Sequence, residues 1–317
     1  MSTEARMPAL ERIAWGAFWG YAGLSIFGAV AYATVLSGDT PQLLVGPYTA
    51  KVYEISLAYA PLTTVYLGAI AALLHTLPRL GWAKALMMFV AASGLALASE
   101  LGGTNIGLPF GPYHYTDMLG WKILGDVPPP IPVSWFYMLY GCLAICARLM
   151  SADDSNATRW KWAVAAGFLL TFWDIPQDPA MTAVQPHHWG WDFDKFPAWV
   201  PGFIKTPFFY GMPLSNWIGW VVTGILVARL MLLFMPPVLV RDRVAPSRLP
   251  ILVYAVGGVM PLAICIKHGM WWAVVPGALL MYVPTLMAWR AGASSAPETV
   301  TPPEREGPSG DLVLSVK

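Results

Sequence analysis

Charged residues are the scarcest class in this sequence. Lys, Arg, Asp and Glu make up 12% of its 317 residues, about half the roughly 25% usual in soluble domains. A soluble fold of this length needs more polar surface, so a soluble globular architecture is excluded. The net charge of +1 excludes an extended nucleic-acid surface, and no nucleic-acid partner is expected. Cysteine is nearly absent. Its three residues form no disulfide framework, and Cys142 and Cys146 fall at i, i+4 spacing in an apolar run, where packing explains them. Histidine is equally thin: His75, His114, His187, His188 and His268 are too few for the His-rich ligand sets of membrane di-iron enzymes. The chain has no Gly-rich dinucleotide fingerprint and no haem-ligation motif.

What the chain has in abundance is apolar sequence, 56% of all residues. A helix needs roughly 17–25 such residues to cross a bilayer. Runs of that kind lie near Ala14–Leu36, Glu54–His75, Trp82–Ser99, Val133–Met150, Lys161–Pro179, Gly211–Phe234, Pro250–Lys267 and Met270–Arg290. The fold class is therefore all-α, a polytopic transmembrane helix bundle of about eight spans. Seven is the alternative count, because only a short turn at His268-Gly269 separates the last two. The first run exceeds a signal-peptide core of about 7–15 residues, so it is read as a retained span. Many of the 16 Trp flank these runs, as interfacial belts require. With eight spans, 14 of the 19 Lys and Arg fall on the side of the termini and five on the other. By the positive-inside rule both termini are cytoplasmic, and the long connections Glu100–Pro132 and Ala180–Phe209 face the exoplasmic side. The expected location is a prokaryotic plasma membrane. Residues 1–290 read as one transmembrane domain. Residues 291–317, rich in Pro, Gly, Ser and Glu, read as a disordered tail.

The stretch Glu100–Trp135 (ELGGTNIGLPFGPYHYTDMLGWKILGDVPPPIPVSW) breaks the apolar pattern with Gly, Pro, aromatics and isolated carboxylates. Irregular backbone near a bilayer must be solvated, or buried where its polar groups find partners. It is read as half of a reaction chamber. In TFWDIPQDPAM, Asp174 and Asp178 stand at i, i+4 on one helical face, with Pro176 loosening the turn and Pro179 ending it. Glu100 closes the third span at similar depth. An ionisable group inside a span costs about 2.5–3.5 kcal/mol, so such groups usually face a bundle interior and serve a function. The structural alternative is that they cap helices, or pair with one another and with Lys122 or Lys205. Phe110, Tyr113, Tyr115, Trp135, Trp189, Trp191, Tyr210 and Trp220 gather around the two long connections. Aromatic faces beside buried acids suit an apolar substrate that becomes transiently cationic. Asn216 stands ready to orient a water or a carboxyl. Zinc held by His114, His187, His188 and a carboxylate is the competing use of the histidines, though an interfacial role explains them more simply.

These residues resemble the integral-membrane carotenoid hydratases of the CruF type, a family that includes bisanhydrobacterioruberin hydratase. Glu100, Gly102, Gly107, Pro109-Phe110-Gly111, Tyr113, Tyr115, Leu119-Gly120, Pro128, Pro132 and Trp135 match its first block. Asp174, Asp178-Pro179, Trp189 and Trp191 match the second, and Tyr210-Gly211, Pro213, Asn216 and Gly219-Trp220 the third. The resemblance runs from about residue 60 to about 290. It implies addition of water across the terminal double bond of an acyclic carotenoid, lycopene-like or a C50 bacterioruberin precursor, with no redox cofactor and no metal. Asp174, Asp178 and Glu100 would be catalytic, and Phe110, Tyr113, His114, Tyr115, Trp135, Trp189, Trp191, Tyr210, Asn216 and Trp220 would bind substrate. Water, membrane lipids and other carotenoid-pathway enzymes are the implied partners. Asp192–Phe209 is longer than the family pattern and would form a lid or alter the accepted end group. Two readings of other classes compete: a carotenoid or lipid carrier without chemistry, and a zinc-dependent lipid hydrolase.

Overall fold

The computed structural model describes residues 9–34, 46–184 and 187–292. The tail from 293 onward, expected to be disordered, lies outside the described residues. Eleven helices are present among them: α1 (Ala9–Thr34), α2 (Pro47–Leu80), α3 (Trp82–Ile106), α4 (Pro130–Leu149), α5 (Asn156–Thr182), α6 (Gly202–Lys205), α7 (Leu214–Phe234), α8 (Pro237–Leu239), α9 (Leu249–Gly257), α10 (Val259–Lys267) and α11 (Trp271–Ala291). α6 and α8 are single turns. α9 and α10 form one span interrupted at Gly258. Seven segments are long and apolar enough to cross a membrane. The eighth long helix, α5, carries Asp174 and Asp178 in its interior. The chain is thus a multi-pass, all-α membrane bundle.

α4 is the hub. Nearly every residue from Ser134 to Arg148 is buried, and α2, α3, α5, α7, α9 and α11 all pack against it. Such burial on all sides explains why its sequence shows no polar face. α5 and α7 cross closely: a Cβ on Gly224 would lie 3.1 Å from the Gly167 Cα. Small residues at a crossing let two backbones approach where no water-driven force pulls helices together.

Two helix ends differ from expectation. α3 continues to Ile106, so Glu100 lies inside the helix rather than at its close. α5 runs through Pro176 and Pro179 to Thr182. Proline usually breaks a helix by removing a donor and crowding the preceding turn. Here the Pro176 ring nests on α11, where a Cβ on Gly277 would approach its Cδ to 2.8 Å. Neighbouring helices hold the proline-bearing turn in place, as bundles in membranes commonly do.

The helix ends remote from the two long connections are pinned by arginine. Arg148 donates from Nε and Nη2 to Ala245 O (2.9 and 2.5 Å), and reaches Ser247 O and Ala288 O. Arg241 donates to the carbonyls of Ala147 and Met150. Arg79 joins Glu11 on α1 at 2.9 Å and donates to the carbonyl of Arg243. One cation therefore ties α4 to the entrance of α9 and the exit of α11. Arg148→Met should lower stability by roughly 2–4 kcal/mol, because it strands carbonyls that a charged donor satisfied. A fall in the melting temperature of the detergent-solubilised protein would show it.

Candidate active site

The two long connections are joined to each other. β1 (Tyr113–Tyr115) pairs antiparallel with β2 (Trp189–Trp191), setting Tyr113 opposite Trp191, His114 opposite Gly190 and Tyr115 opposite Trp189. Asp192 N–H to Pro112 O and Thr116 N–H to His188 O extend the ladder at both ends. Strand alternation then sorts the side chains. Tyr113 and Tyr115 turn into the bundle, and His114 turns out. A second hairpin, β3 (Pro207–Phe209) with β4 (Met212–Pro213), leads into α7.

Glu100 is the anchor of the inward face. Its Oε2 accepts hydrogen bonds from the hydroxyls of Tyr113 and of Tyr115, the latter at 2.8 Å. Its Oε1 accepts from Trp135 Nε1 at 3.0 Å. Burial, and then the adjacent Glu100, push both phenols well above their ordinary range, so they remain donors. Lys122 and Lys205 do not pair with the carboxylates in question: Lys122 bonds Asp117 and the Tyr115 carbonyl instead. The strand reaches α3 because Gly103 has no side chain, as a Cβ there would lie 2.4 Å from the Tyr113 ring. Gly219 plays the same part on α7, admitting the Phe110 backbone and ring.

Asp174 and Asp178 meet over one amide. Asn216 Nδ2 donates to Asp178 Oδ2 and, at 3.2 Å, to Asp174 Oδ2. Trp189 Nε1 donates to Asp178 Oδ1 at 3.1 Å. Asp174 Oδ1 is buried with no hydrogen-bond partner among the described residues. Exposure is 4% for Glu100, 0% for Asp174 and 2% for Asp178, so all three carboxyls are withdrawn from water. The two aspartates and Glu100 interact electrostatically.

A cavity of about 140 Å3 opens between them. Glu100, Asp178 and Asn216 line it, and Asp174 stands behind Asp178. Aromatic rings make up most of the remaining inner wall. Trp135 stacks on Trp220 at 4.6 Å, and Trp173 meets Trp220 edge-on at 5.7 Å. Phe110 packs against Trp135 at 6.0 Å, Tyr113 against Trp191 at 5.4 Å and Tyr115 against Trp189 at 5.9 Å.

Ten of the thirteen residues expected at the site line this cavity: Glu100, Phe110, Tyr113, Tyr115, Trp135, Asp178, Trp189, Trp191, Asn216 and Trp220. His114 does not, because strand alternation sends it to the surface, where Asp192 Oδ1 holds its Nδ1 at 2.9 Å. Nor does Tyr210. It occupies the β3–β4 turn, meets Phe209 edge-on and accepts from the Trp272 N–H at the start of α11. No residue of the Asp192–Phe209 insertion lines the cavity; its Phe196 packs over Gly111. No group of three metal-ligating side chains converges among the described residues.

The expected set of site residues leaves out Trp173, Gln177, Met181 and His188, which also line the cavity; for His188 only zinc or an interfacial role is expected. Three of these had a signal: Trp173, Gln177 and Met181 recur every fourth residue and share a helix face with Asp174 and Asp178. The Gln177 side chain makes no hydrogen bond to any other described residue, so its amide is available to a ligand or water.

A membrane helix bundle with buried acids in an aromatic-lined cavity is an enzyme-like arrangement, and similarity to known proteins gives it a class. The chain belongs to the family of carotenoid biosynthesis proteins, whose profile matches residues 61–284. It is also similar to bisanhydrobacterioruberin hydratase of Haloarcula japonica, with 27% identity over 141 residues. That alignment covers 44% of this chain and 42% of the relative, so it spans less than half of either. No solved structure matches. The protein therefore has a role in carotenoid biosynthesis.

Glu100→Gln tests the anchor. An amide there sets an N–H against a phenol or indole donor, costing roughly 1–3 kcal/mol for the mismatched bond. Faster hydrogen exchange across residues 113–115 than in the unaltered protein is the expected result.

Proposed function

We propose that the protein is a carotenoid hydratase, adding water across the terminal carbon–carbon double bond of an acyclic carotenoid end group to give a tertiary alcohol. The observation that carries this reading is Asp178. It reaches an aromatic cavity wall while sharing one amide donor with a second buried carboxyl. Two carboxyls so placed are accommodated at lowest cost with one proton between them, because burial withdraws both from bulk solvent and no cation among the described residues pairs with either. Asp178 then acts as the acid.

The alkene has no carbonyl to polarise, so its activation is protonation. Asp178 gives a proton to the less substituted alkene carbon, and the π pair forms the new C–H bond. The tertiary cation left on the neighbouring carbon faces the indoles and phenols of the cavity, whose ring quadrupoles stabilise it by about 0.5–2 kcal/mol each. Water attacks that carbon. The proton it sheds returns to the vacated carboxylate, which closes the cycle with no net redox change. Gln177 holds the water, and Glu100, fixed by three donors, contributes negative charge rather than a proton. Withdrawal of the site from bulk water limits the cation to the single nucleophile held beside it.

The same reading sets the site on the exoplasmic side of a prokaryotic plasma membrane. The arginines gathered at the opposite end of the bundle support that orientation, since cytoplasmic ends are the basic ones.

Expression in a host that accumulates lycopene, followed by pigment mass analysis, tests the activity. A product heavier by one water is expected from the unaltered chain. Asp178→Asn should lower its formation by at least about a hundredfold, the contribution usual for a positioned acid, while the protein still accumulates in the membrane. Retained pigment without any mass gain from the unaltered chain would instead identify a carrier.

A further inference from the structure

The cavity is not uniform along its length. Its inner end, at Glu100, Asp178, Asn216 and Trp135, is fully buried. From there it extends toward α1, α2 and α10, where its wall is Ser25 and Tyr32 of α1, Pro61 and Thr64 of α2, and Met260 and Pro261 of α10. Tyr32, Pro61, Thr64 and Met260 are only half-buried, so this end reaches the outside of the bundle. The same stretches of α1 and α2 expose apolar residues rather than charged ones: Phe27, Val30 and Tyr59 are exposed there.

The chemistry of this arm differs from that of the inner end. Ser25 donates its hydroxyl to Tyr21 O at 2.8 Å, and Thr64 donates to Ala60 O at 2.7 Å. Both hydroxyls are thereby spent on their own helices and present mainly carbon to the cavity. No carboxylate or cation of the described residues lines the arm. Met260 crosses it and rests on α1, where a Cβ on Gly28 would lie 2.9 Å from its Sδ. A thioether of this kind yields readily, because three rotatable bonds let it refill or vacate a gap.

An apolar cavity of about 150 Å3 takes one benzene, roughly six carbons. The whole cavity, arm included, is about 140 Å3, so it holds an end group and not a long polyene. The rest of the chain has to leave the bundle, and the half-buried mouth of the arm is the apolar way out.

We infer that the arm between α1, α2 and α10 is a binding subsite for the hydrocarbon chain next to the reacting end, with Met260 as its movable wall. It accepts an extended, unfunctionalised polyene and selects long acyclic substrates over short ones. Of the arm's wall, Ser25 and Tyr32 precede the segment matched to the family, residues 61–284, and Pro61, Thr64, Met260 and Pro261 lie within it. This inference rests on the hydratase reading for its kinetic test, though not for its binding test.

Thr64→Trp, and independently Met260→Trp on the facing wall, fill the arm. The readout is the ratio of kcat/KM for a long acyclic carotene to that for a short acyclic isoprenoid hydrocarbon with the same terminal double bond. Each variant that accumulates in the membrane should lower this ratio by at least about tenfold, a difference in chain binding and not in chemistry. An unchanged ratio overturns the subsite. If the unaltered protein hydrates neither substrate, the hydratase reading fails and binding decides alone. Protein purified from a carotene-producing host should then carry pigment, and the filled variants should carry several-fold less. Equal pigment in all three overturns the subsite on that measure too.

Discussion

Glu100 is a carboxyl in the middle of an apolar bundle, and the donors it requires come from three separate places in the chain. Tyr113 and Tyr115 arrive on a strand, and Trp135 arrives on the hub helix α4. An unpaired carboxylate at this depth would cost several kcal/mol. Satisfying it fixes the position of β1 against α3 and α4 at once. β1 then carries β2 through the ladder, and β2 brings Trp189 to Asp178. The aromatic wall, the acid pair and the strand pairing all follow from one buried acceptor and its three partners.

The two acid sites are built differently, and the proposed roles follow that difference. Glu100 spends both oxygens accepting. Asp178 and Asp174 share one amide donor, Trp189 serves Asp178 alone, and one Asp174 oxygen has no partner among the described residues. In the proposed mechanism the first arrangement stabilises a charge and the second leaves room for a mobile proton. Both face one cavity from opposite sides of the chain fold, α3 on one hand and α5 on the other.

Much of this was legible in the order of residues. Long apolar runs declare spans because a bilayer admits only segments whose backbone satisfies itself. Asp174 and Asp178 stood out because charge inside a span is rare. The chamber was visible as two Gly-, Pro- and aromatic-rich connections, and the resemblance to carotenoid hydratases rested on residues that the cavity gathers. Where sequence reasoning erred, local pattern met tertiary packing. Pro179 reads as a helix stop, yet α5 passes it because α11 and its neighbours support the proline-bearing turns. His114 reads as a site residue between two site tyrosines, yet a strand turns every second side chain outward. Tyr210 lies within a matched block but belongs to a hairpin turn that faces α11.

The sequence by itself determined the bundle, its membrane setting and the identity of the three acids. Hydrophobic length and the cost of buried charge are properties of local composition, so they need no knowledge of the fold. Only the tertiary structure decided that Asp178, and not Asp174, reaches the cavity, that Asn216 bridges the pair, and that the first helix contributes a wall. Those facts depend on which faces of distant helices meet. Residues 38 or more positions apart, such as Asp178 and Asn216, are joined by packing and not by any periodicity along the chain.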